Sequence, residues 1–111
     1  MSRKKHFTAQ IKGMEWKFYS QSLTAYEKAH GKDSDAVTYP HDMEVFFSKP
    51  RLLPGIVRHE LFHVYIASSG INSAGLNTEQ MEELCAELFE VHGLEMILLA
   101  DKIIDFFMRL K

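Results

Sequence analysis

With 111 residues, 46% of them hydrophobic and 25% charged, the chain has material for one domain with an ordinary apolar core, which excludes both a second folding unit and a disordered chain. A formal net charge of −2 leaves no basic footprint for nucleic acid, no apolar run is long enough to span a bilayer, and the single Cys85 cannot form an internal disulfide. Residues 1–111 are therefore expected to form one cytosolic domain with a flexible end at 1–6, where Ser2-Arg3-Lys4-Lys5 is followed by no apolar segment of the secretory kind.

The first half reads as mostly strand. Phe7, Ala9 and Ile11 alternate with polar residues, Lys12-Gly13 suits a turn, and Trp16 and Phe18 resume the alternation, so a hairpin is expected. Ser22 to His30 suits a short helix stopped by Gly31. Ala36–Tyr39, a turn at Pro40-His41-Asp42, and Glu44–Phe47 read as two further strands.

The second half reads as helical. Pro54 suits a first helical turn, and the pattern runs to a stop at Gly70. Thr78 is a good N-cap for a helix over 78–92, with Met81, Leu84, Cys85, Leu88 and Phe89 on one face and Gly93 beyond its end. From Leu94 to Leu110 apolar residues occupy more than half the circumference, as expected of a helix central to the core or covered by another subunit.

The chemistry concentrates in His59-Glu60-Leu61-Phe62-His63. Residues i and i+4 stand one turn apart on one helix face, so both imidazoles can reach a single cation. Glu60 lies about 100° round the helix, close enough to touch a water on that cation and offset from being a ligand, the position of a general base. Two unliganded histidines on a helix surface are the alternative, but the apolar flanks Ile56, Val57, Leu61, Val64 and Ile66 favour a buried, site-bearing helix.

A catalytic zinc commonly has three protein ligands and one open position. The segment from Glu79 to Glu95 carries six acids and no Lys or Arg, and Glu83 is the favoured third ligand, with Glu87 one turn on to accept a ring N–H from a liganding histidine. Glu82 is the alternative ligand, with Glu79 and His92 behind it, and a solvated helix surface competes for each acid. Cys85 reads as a small apolar-face side chain and His92 as a cation at a helix C-terminus. His6, His30 and His41 show no pairing pattern, although Tyr39 or His41 could steady an oxyanion. Arg58 is read as structural, pointing away from the metal, and Trp16 and the Phe residues as core.

Residues 56–66, then Ser69-Gly70-Ile71, then Met81-Glu82-Glu83-Leu84-Cys85-Ala86-Glu87-Leu88, resemble the small zinc metallopeptidase-like proteins of phages and mobile elements, in the gluzincin-like group. Glu83 to Glu87 is also similar to the Glu-x-x-Ala-Asp signature of some membrane-bound gluzincins, with Glu87 where those have Asp. The resemblance spans roughly 36–92. It implies Zn²⁺ on His59, His63 and a Glu of the following helix, and a minimal zincin-like core in which an edge strand, here Glu44–Phe47, holds an extended peptide.

The expected fold is α+β, a small antiparallel sheet of three or four strands against three helices. The expected activity is peptide-bond hydrolysis on a peptide or protein substrate, with no nucleic-acid or membrane partner. The alternative is a non-catalytic, metal-stabilised binding or regulatory module whose apolar C-terminal helix meets a second copy or a partner chain.

Overall fold

The hairpin forms where the alternation predicts it, in a computed structural model that describes residues 5–69 and 75–110. His6–Ile11 (β1) and Met14–Gln21 (β2) pair antiparallel across Lys12-Gly13, whose positive φ angles of 51° and 83° give a two-residue turn that matches the twist of the strands. Leu23–His30 (α1) follows. Ser22 caps its start by accepting from the Ala25 N–H, and Gly31, at φ 92°, ends it in a region that favours glycine.

Ala36–Tyr39 (β3) and Glu44–Ser48 (β4) make a second hairpin, and the sheet order is β1-β2-β4-β3. β4 pairs antiparallel with β3 and parallel with β2, so the sheet is mixed where an antiparallel one was expected. α1 supplies the reason: it returns the chain between the hairpins, so β4 enters the sheet in the same direction as β2. Val45 and Phe47, fully buried, place β4 inside the sheet, and β3 becomes the edge. The strand expected at the edge, Glu44–Phe47, is therefore an interior one.

Pro54–Ser68 (α2) begins on its proline as expected, and Ser69 closes it by bonding back to Tyr65. The stop expected at Gly70 lies outside the described residues. Thr78–Met108 (α3) runs unbroken for 31 residues, about 46 Å at 1.5 Å per residue, in a molecule whose longest dimension is 47 Å. Two helices divided at Gly93 are thus one. A mid-helix glycine costs only about 1 kcal/mol, and the buried stripe Leu88, Met96, Ala100, Ile103 and Phe107 keeps helical phase across it. The N-cap is Asn77, one residue before the expected Thr78, and it forms a capping box with Gln80.

The α+β class with four strands and three helices stands, α1 taking the place of the helix that merged into α3. The core lies between the sheet and the helix pair α2–α3, built on Trp16, Phe18, Val45, Phe47, Leu61 and Ile103. α1 lies on the other side of the sheet, where His30 meets Tyr39 and Phe46. No helix among the described residues is long and apolar enough to cross a membrane.

Candidate metal centre

α2 buries Val57, Leu61, Val64 and Tyr65 against the core, which leaves His59 and His63 on its outer side, one turn apart. Their Nε2 atoms stand 3.2 Å apart with the rings inclined at 78°. Two nitrogens on one tetrahedral zinc, each at about 2.0–2.1 Å, are separated by about 3.3 Å, so the pair has the nitrogen spacing of a shared cation. Among the described residues, His59, Glu60 and His63 form the one group of three or more metal-ligating side chains whose candidate atoms all lie within 4.8 Å of one another.

Glu60 differs from the histidines in its burial. Its side chain is 9% exposed against 69% for His59. Oε1 accepts a hydrogen bond from Thr38 Oγ1 at 2.6 Å, and Oε2 lies 4.0 Å from His59 Nε2. That second distance exceeds the spacing between adjacent ligands of one zinc and suits a group that reaches a molecule beside the cation. The carboxylate is thus divided: one oxygen is held by the sheet and the other faces the imidazoles. Its charge is also felt by the buried phenol of Tyr26, whose pKa is raised first by burial and in smaller part by Glu60.

The acids of α3 do not join this group. α2 and α3 run antiparallel, with Arg58 and His59 beside Gly93, Met96 and Ile97 at one end and Ser69 beside Leu84, Glu87 and Leu88 at the other. Glu83 therefore lies near the level of Ser69, about 9 Å along α2 from His63, and is exposed, as are Glu79, Glu82 and Glu87. The expected third ligand, Glu83, and its expected helper, Glu87, are not brought to the imidazoles. Glu87 lines a separate recess with Lys12 and His92. His92, read as a helix-end cation, sits mid-helix and bonds Glu95 through Nδ1 at 3.0 Å while Lys12 Nζ approaches Nε2 at 3.4 Å. Cys85 is half-buried and carries a free thiol.

Two residues beside the site escaped the sequence reading. Thr38 faces α2 from β3, and the alternation carried no signal for it, since Val37 and Tyr39 on the other face are the strand's large apolar residues. Arg58, read as pointing away, lines an apolar groove of about 420 Å³ together with His59, Phe62, Phe89, Gly93, Met96 and Ile97. His30, which carried no pairing pattern, bonds Tyr39 at 2.7 Å and Gln21 at 3.0 Å on the opposite face of the sheet.

Compared with protein-family models, curated proteins and solved structures, the chain gives no match.

Proposed function

We propose that the chain is a zinc-dependent hydrolase of peptide bonds, of the metallopeptidase-like kind that its helical motif resembles. The observation that carries this reading is the approach of two imidazole nitrogens to 3.2 Å beside a buried carboxylate that is offset from them. His59 and His63 would hold the ion. A divalent cation, when bound, lowers the pKa of a water toward neutrality and polarises a carbonyl oxygen.

Glu60 takes a proton from the attacking water at Oε2 while Thr38 holds Oε1 in place. The water oxygen joins the acyl carbon, the C–N bond breaks, and Glu60 passes the proton to the departing amine. β3, with a strand neighbour on one side only and packed against α2, receives the extended backbone of the substrate in the role expected of β4.

The exposed apolar residues of α3, among them Phe89, Leu94 and Leu98, favour the second reading of a metal-stabilised binding module. Glu60→Gln separates the two. The hydrolase reading expects one metal ion per chain in both proteins and a loss of peptide turnover of about 10²–10⁴-fold in the variant. A binding module expects the same metal content with no turnover in either protein. Metal analysis of protein purified without chelator, with His59→Ala as the control that loses the ion, tests the premise shared by both.

A further inference from the structure

α2 carries its groups in an order that gives the site two flanks. Taking His59 as reference, Glu60 lies about 100° to one side, toward Thr38 and β3, while Arg58 lies about 100° and Phe62 about 60° to the other, toward α3. A chain laid along β3 and across the imidazoles therefore runs on into the groove between α2 and α3. The groove wall is apolar: Phe62 and Phe89 stack at 5.6 Å between ring centres, with Met96 and Ile97 beyond them.

Gly93 forms part of this groove. A side-chain carbon added there would meet only the Phe89 side chain within 4 Å, at 3.4 Å and beyond. Packing against α2 therefore does not demand glycine, yet the residue stands mid-helix where glycine is unfavourable. Its missing side chain keeps the groove open. At the lip stands Arg58, exposed and without an ion-pair partner among the described residues, whereas Arg51 and Arg109 pair with Asp35 and Asp105.

An apolar recess of about 420 Å³, with a guanidinium at its rim that has no ion-pair partner among the described residues, is complementary to a small apolar group that carries a carboxylate. We infer that the groove receives the C-terminal residue of a peptide, its bulky apolar side chain over Gly93 and against the stacked aromatic rings, and its α-carboxylate on Arg58. This deepens the hydrolase reading and rests on it: the bond placed at the imidazoles is then the last one of the chain, and the product is a free apolar amino acid.

The test is an NMR titration of the full-length, metal-free protein with N-acetyl-L-leucine, N-acetyl-L-leucinamide and hexanoate. The expected result is that N-acetyl-L-leucine shifts the Arg58, Phe62, Phe89 and Gly93 signals, and that the amide binds at least ten-fold more weakly. Arg58→Gln, a surface change, should remove that difference, and Gly93→Leu should abolish binding of both. Equal binding of acid and amide, or no shifts in the groove, overturns the proposal. Tighter binding of hexanoate than of N-acetyl-L-leucine overturns the peptide assignment, and shifts that follow protein concentration instead of ligand overturn it in favour of an interface between copies. Because no metal is present, failure here leaves the hydrolase reading standing, and failure of metal binding leaves this titration unaffected.

Discussion

Glu60 is a buried carboxylate held by one hydroxyl. No lysine or arginine pairs with it among the described residues, so Thr38 Oγ1 supplies the short hydrogen bond that offsets its loss of water. Thr38→Val keeps the shape of the side chain and removes the donor, which should lower stability by about 1–3 kcal/mol in denaturant unfolding, while Thr38→Ser should retain most of it. Equal stability of the valine variant would show that Glu60 does not depend on this bond. At this scale His59, Glu60 and His63 were legible because their geometry is set by one helical turn. Thr38 was not, because its contact joins residues that only the packing of β3 on α2 brings together.

Among the elements, α3 departs furthest from the expectation. Helical periodicity stands on both sides of Gly93, and the low helix propensity of glycine marks a break that the phase of the buried stripe across it outweighs. The consequence for the site is direct. An unbroken α3 fixes the level of Glu83 beside the C-terminal end of α2, away from His59 and His63. Glu83→Gln is therefore expected to leave zinc affinity within about two-fold of the parent, whereas His63→Ala should abolish tight binding; titration against a competing chelator measures both. Loss of affinity in Glu83→Gln would mean that α3 shifts along α2 when metal binds. The strands were legible from alternation, but their order was not. Alternation tells which face a residue occupies and carries no information on which neighbour a strand takes, and the edge position that the family resemblance implies for β4 is an interior one.

Across the whole molecule, the turn between β1 and β2, the end of α2 and the middle of α3 are joined by side chains. Lys12 approaches His92, His92 bonds Glu95, and Tyr65 of α2 meets Glu95 and the His92 ring. Burial raises the Tyr65 pKa far above its ordinary value, with the charge of Glu95 and the hydrogen bond to it adding to the effect. The folded state thus holds this proton more tightly than the unfolded chain does. Its contribution to stability is complete below about pH 10 and declines as pH rises further. Tyr26 and Tyr19, also raised chiefly by burial, act with the same sign. Unfolding midpoints measured from about pH 8 to 11 should be level at first and then fall, and Tyr65→Phe should flatten part of that fall. A slope unchanged in the variant would remove Tyr65 from the account.

The parallel register of Lys17 with Glu44 also bears on how the chain reaches its native state. Each hairpin can close by local pairing, but their union must bring distant stretches of chain together before it gains anything in return. Thr38, which holds Glu60, belongs to the second hairpin and the imidazoles to the helix after it. The buried carboxylate and the two imidazoles should therefore come together only once the sheet has assembled against α2.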